Sequence, residues 1–193
     1  MVTVNVRHTQ RNGGFAGLVN RVQNLKKKRI MVGISEKEAA REGEEINNAQ
    51  LLYILSHGVR KKSMRDEMQP NIDAGMKYSL AYQMYIMAHG SPLWHSPPRP
   101  VLEPAIEAHK DAISQLFKMV MLAACKGDQT ALRNAIINCG TAAQNYCRDW
   151  FSDPRNGWAP NSPVTIALKG SARPMVDTGT MRKAITYVVR DKV

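Results

Sequence analysis

The chain has 193 residues, with 27 lysines and arginines against 16 aspartates and glutamates, a formal net charge of +11. With 44% hydrophobic and 22% charged residues it has the composition of one folded domain rather than a disordered chain, able to bury roughly 70% of its unfolded surface. No apolar run approaches the roughly 20 residues of a membrane helix, and polar residues interrupt the amino-terminal stretch where a signal peptide would be apolar, so neither membrane insertion nor secretion is expected.

In chain order, Val2, Val4 and Val6 alternate with Thr3 and Asn5, the period of a half-buried strand. An Asn12-Gly13-Gly14 turn follows, and Phe15, Leu18, Val19, Val22 and Leu25 then recur at helical spacing. The basic run KKKR at 26–29 reads as a charged helix end leading into a second strand over 29–34. Segment 35–47, polar and rich in glutamate, reads as a loop or exposed helical turn. Residues 48–56 form a short buried helix, with Asn48 as its cap and His57-Gly58 as its stop.

Basic, polar residues at 59–70 predict a mobile loop. The next stretch, 71–90, predicts a single helix with apolar side chains around most of its circumference. Such a helix must be covered by its own fold or by a neighbour, which makes Met76, Tyr82, Met84, Tyr85 and Met87 candidate subunit-interface residues. A proline cluster over 91–104 then imposes extended geometry.

Pro104 suits the first turn of a long helix over 103–125, with Ala105, Ile106, Ile113, Leu116, Phe117, Val120 and Met121 toward the core. Gly127 and Asp128 punctuate, and Asp128 caps a second long helix running to about Phe151, predicting an antiparallel hairpin. The remainder is loop-rich, with a VTIALKG turn, a short helical turn that Thr178 can cap, and a last strand over 185–189. Three strands and two dominant helices predict an α+β fold: a small, mostly antiparallel sheet packed against a pair of long helices, in one domain over 1–193 with a loop-helix insertion at 59–90.

The charge is unevenly placed. Residues 1–29 carry seven basic side chains and no acid, 30–45 carry five glutamates against Lys37 and Arg41, and the last 25 residues are again basic. A basic amino-terminal region can serve nucleic acid, although KKKR lacks the interleaved aromatics of a base-stacking surface. Opposite-sign blocks on one small chain equally suit contacts between copies. Cys125, Cys139 and Cys147 are an odd number without a CxxC pair and read as structural thiols of a reducing cytoplasm.

Motifs for catalysis are sparse. There is no glycine-rich phosphate loop, no HExxH and no nucleophile elbow. His57, His89 and His95 read as capping or loop residues, and His109, preceded by Glu103 and Glu107, as part of a solvated face. Asp177-Thr178-Gly179 matches the aspartic-protease triplet, but that chemistry needs two such carboxylates and only one is present. No catalytic, cofactor or metal residue is assigned.

Two ordered motifs carry more information. Pro97-Pro98-Arg99-Pro100-Val101-Leu102-Glu103-Pro104 follows an Ala88-His89-Gly90 segment, and Lys169-Gly170 is followed by Met175-Val176-Asp177-Thr178-Gly179-Thr180-Met181-Arg182. Together with the strand-like RIMVGI they resemble, in order, the head–tail neck or tail-completion proteins of tailed bacteriophages. Val101 stands where that family usually has Phe, and Met175 where it has Leu. Ser56-His57-Gly58 echoes Ala88-His89-Gly90, which is why 59–90 reads as an insertion.

The resemblance implies a non-enzymatic virion protein that assembles in the host cytoplasm as a homo-oligomeric ring in the neck. It would join the DNA-filled head to the tail, contacting portal- or adaptor-side proteins and tail-tube or tail-terminator proteins, with non-specific contact to packaged DNA as a further expectation. Pro97, Pro98, Arg99, Pro100, Asp177, Thr178, Gly179, Met181 and Arg182 are the motif residues expected at subunit contacts. Arg99 offers a planar fork for a carboxylate or for backbone carbonyls. The alternatives are a DNA-binding protein using the basic amino-terminal region, and a hydrolase built on Asp177 and a histidine.

Overall fold

The computed structural model describes residues 14–41 and 45–191. The strand expected at Val2, Val4 and Val6 lies outside them. Helix α1 (Phe15–Lys26) runs directly into strand β1 (Lys28–Ile34), so the basic run does straddle a helix end and a strand start. Phe15 itself is exposed, while Leu18, Val22 and Leu25 are half-buried. A 3-10 turn at Glu36–Glu38 precedes α2 (Asn48–His57). The cap of α2 is Asn47 rather than Asn48: its side chain accepts from Gln50 N at 2.9 Å, and Gln50 Oε1 accepts from Asn47 N at 3.1 Å. These reciprocal bonds satisfy two of the orphan amides at a helix start. Asn48 is instead buried, its amide donating to Ala40 O.

Segment 59–90 departs from expectation. The predicted loop at 59–70 holds strand β2 (Val59–Arg60) and most of helix α3 (Lys62–Asp73), and the predicted helix over 71–90 is divided, its first residues ending α3 and its second part being α4 (Tyr78–His89). Met64, Met68 and Ile72 repeat every four residues, a helical stripe diluted by the charged residues between them. Met64 and Met68 are buried against Ala81 and Tyr85 of α4, giving the helix pair a small core of its own.

Strand β3 (Trp94–Ser96) pairs antiparallel with β2, and the chain then passes through the prolines into α5 (Leu102–Ala108). The long helix expected over 103–125 is broken. Its second part, α6 (Lys110–Lys126), starts after His109, which has left helical geometry. His109 is no solvated side chain: its ring stacks on Tyr146 at 4.1 Å, Nδ1 donates to Ala105 O and Nε2 accepts from Arg155. After Gly127, Asp128 caps α7 (Gln129–Asp149) through a 2.9 Å bond from Ala131 N, and α6 and α7 pack as the expected antiparallel hairpin.

The VTIALKG segment is a helix, α8 (Pro163–Lys169), not a turn. Ser162 caps it and Pro163 occupies its first position, both favourable there. Helix α9 (Thr180–Ala184) is entered through Gly179 rather than capped by Thr178, whose hydroxyl accepts from Thr180 N at 3.4 Å. The chain ends in β4 (Ile185–Asp191), antiparallel to β1 with Ile34 opposite Ile185 and Lys28 opposite Asp191.

The fold is α+β, with two separate two-stranded antiparallel sheets among the described residues in place of one. The β1–β4 sheet lies on α7, where Tyr187 covers Gly140: a Cβ there would sit 2.3 Å from Cδ2 of the ring. The main core joins Leu52, Val101, Ala105, Cys147, Trp150, Phe151, Met181 and Ile185, drawn from both sides of the proline segment. Cys139 and Cys147 are buried, as small apolar groups are, and burial raises both thiol pKa values. Phe117 and Met121, expected in the core, face outward on α6.

Candidate assembly site

The proline segment 97–100 leaves β3 extended and passes the carboxyl end of α2. Gly58 makes that approach possible: its φ is +75°, and an added Cβ would lie 2.7 Å from Pro98 N and 2.8 Å from Ser96 O. Arg99 N donates to Leu55 O at 2.9 Å. This tethers the motif to α2 from one side.

Arg99 turns inward and is only 6% exposed. Its Nε and Nη2 both donate to Ala159 O, at 3.1 and 3.0 Å, and Nη2 also reaches Pro160 O at 3.2 Å. Of the two partners its fork suits, the carbonyls are the ones present. Burial lowers its pKa from the ordinary arginine value. Trp158 Nε1 donates to Pro100 O at 3.0 Å, and its ring meets Phe151 edge-on at 5.8 Å. The loop after α7 is thereby fixed across the prolines.

That loop carries the second motif to the first. Asn161 donates to the carbonyls of Ala172 and Arg173, and Lys169 Nζ also donates to Arg173 O. Burial lowers the Lys169 pKa, with Asp177 opposing the shift and Arg99 adding to it. Lys169 therefore sits in the fields of both Arg99 and Asp177, residues 78 positions apart in sequence. Met181 enters the main core, and Arg182 donates from Nε to Arg148 O at 2.7 Å and from Nη2 to Asp149 Oδ1 at 3.2 Å.

The structure thus brings the two motifs together and divides their residues by role. Arg99 and Met181 are buried in their own chain; Pro98, Pro100, Asp177 and Thr178 face outward, with Pro97, Gly179 and Arg182 half-buried. Neither Asp177 nor Thr178 has a histidine hydrogen-bonded to it among the described residues, and none of these residues forms a group of three His, Cys, Asp or Glu able to hold a metal ion. No described helix is long and apolar enough to cross a membrane.

No family model, no curated protein and no solved structure matches this chain.

The candidate interface helix is also divided. Tyr85 is buried, and Met76 and Tyr82 pack on the α3–α4 core, whereas Met84 is half-exposed and Met87 is 87% exposed. Sequence reading missed Arg60, whose guanidinium lies 4.4 Å from the Tyr82 ring centroid and within 5.6 Å of those of Tyr78 and Trp94. It missed Arg148 as well, which donates to Lys183 O and Ile185 O. Neither has a local signature, because every partner is remote in sequence. Further apolar surface lies on α6 (Phe117, Met119, Leu122) and α8 (Val164, Leu168).

Proposed function

We propose that this chain is a structural protein of a tailed-bacteriophage virion, assembling as a ring in the neck and joining the head to the tail. The reading rests on the ordered sequence motifs, and the observation that supports it best is their convergence, with Arg99 and Trp158 bonded across the proline segment and Asn161 joining their loop to Ala172 and Arg173. A proline segment held at both sides loses little further entropy when a neighbour docks on it. Pro98 and Pro100 remain free to make that contact, and apolar side chains left on α4, α6 and α8 suit a subunit whose surface is completed by other copies or virion proteins. Portal- or adaptor-side and tail-side proteins are the proposed axial partners.

Electron microscopy of the purified protein and of the virion neck tests this directly. Rings, and density for the chain between head and tail, are expected. Particles that lack the protein, or heads and tails that join normally without it, would overturn the reading.

Nucleic-acid binding is a second reading, favoured by one observation. Arg29 and Arg190 lie directly opposite in the β1–β4 ladder, both exposed, with Lys26 and Lys27 nearby in the chain. Like charges so placed repel, and an anion would relieve the repulsion. A gel shift with steep salt dependence is expected on this reading; the absence of any shift at low salt would eliminate it.

A further inference from the structure

A cavity of about 680 Å³ opens at the carboxyl end of α2, lined by residues that include Tyr53, His57, Arg60, Arg65, Met68 and Trp94. Among the described residues, no aspartate or glutamate lines it. Arg60 is held among three aromatic rings and donates to the Tyr78 hydroxyl, but its Nε is buried without a partner. Arg65 is exposed on α3, and neither arginine makes an ion pair among the described residues. The lining is mostly apolar, and its charged side chains are both positive.

The complement lies at the other end of the same helix. Glu36, Glu38 and Glu45 are exposed ahead of α2, and Ile46, next to Glu45, is an exposed apolar side chain. The ten residues of α2 separate the two patches by about 15 Å. Both ends are fixed, by the Asn47–Gln50 box and the Asn48 N to Ala39 O bond at the start and by Gly58 against Pro98 at the finish. The patches therefore cannot meet within one chain. The helix dipole favours acid at the start and base at the end, which accounts for each sign. It does not account for the cavity beside the arginines or for an apolar residue exposed beside the glutamate.

We propose that the cavity at the carboxyl end of α2 receives Glu45 and Ile46 of a second copy of this chain. Ile46 covers the apolar wall formed by Ile54, Ile72 and Trp94, and the Glu45 carboxylate pairs with Arg65 and faces the Arg60 guanidinium. Because the two surfaces differ, the contact is head-to-tail and closes into a ring when the rotation between copies permits. The inference rests on the oligomeric reading above and assigns its interface.

Mass photometry of the full chain tests it, with Arg65→Glu, Glu45→Lys and the two combined. Both positions are exposed, so folding is not at stake. Wild-type oligomers are expected, each single change weakening association about tenfold or more and the charge swap restoring it. Wild-type oligomers that persist in Arg65→Glu, or singles that dissociate without rescue by the swap, would overturn this contact and leave the ring reading standing. A wild-type chain that stays monomeric at every concentration would overturn both.

Discussion

Arg148 and Arg182 each hold the other's stretch of backbone. Arg182 Nε donates to the carbonyl of Arg148 at 2.7 Å, while Arg148 donates from Nη2 to Lys183 O at 2.7 Å and from Nε to Ile185 O at 2.9 Å. The carboxyl end of α7 is thereby clamped to the junction of α9 and β4. The last-turn carbonyl of Arg148 gains a cationic partner, which also suits the helix dipole.

Arg182→Ala is expected to cost about 1 kcal/mol and Arg148→Ala about 1–2 kcal/mol, as for charge-assisted bonds at partly exposed sites. The two share one junction, so a double-mutant cycle in urea should give a coupling of about 0.5 kcal/mol or more. Strict additivity would mean that the two arginines act independently.

Gly140→Ala places a methyl group 2.3 Å from the Tyr187 ring. The ring is seated between β4 and α7 and its inner carbons cannot swing away as a flexible chain end would, so overpacking should cost about 1–3 kcal/mol despite the better helix propensity of alanine. Thermal unfolding checks this at about 2–4 °C per kcal/mol for a chain of this size. In a Tyr187→Leu background, the same change should cost less.

Arg99→Lys is expected to behave as a loss rather than a conservative change. A single ammonium cannot reproduce the forked contact with the carbonyls of Ala159 and Pro160, and the cost should be about 1–3 kcal/mol. Hydrogen exchange should rise in the loop at 157–162 before it rises in α7. Equal loosening of both would show that Arg99 supports the whole core instead.

Alkaline pH should destabilise the fold through Cys147, whose thiol pKa is pushed up to about 11 by burial. An unfolded thiol ionises near its ordinary value of 9.0, so between about pH 9 and 11 only the unfolded state loses the proton and stability falls as pH rises. Urea midpoints measured across that window should fall less steeply in Cys147→Ala than in the wild type. A thiol reagent should likewise label half-buried Cys125 well before Cys139 or Cys147.

The local signals proved dependable where one element decides its own structure. Asp128 caps α7 and Gly127 ends α6 because turn and cap chemistry acts over three or four residues. Strands β1 and β4 were legible from short β-branched runs. Helix α3 was not, because Lys62, Arg65, Asp66 and Glu67 mask a stripe of only three apolar residues. Nor was the break at His109, which depends on a ring stacked against Tyr146 from another helix. At the candidate site the motif residues stood out in the sequence, but not which of them would turn inward.

Composition and charge determined a folded chain with separated basic and acidic blocks, and periodicity with its turn and cap signals determined the α+β class and located most of its elements. Only the tertiary structure decided that Arg99 binds carbonyls of its own chain, that Arg60 is ringed by aromatics, and that the acidic and basic patches lie at opposite ends of α2. The reason is geometric. Periodicity reports which face of an element is apolar, whereas partners across a fold are set by how elements pack, and a single sequence carries no local record of that.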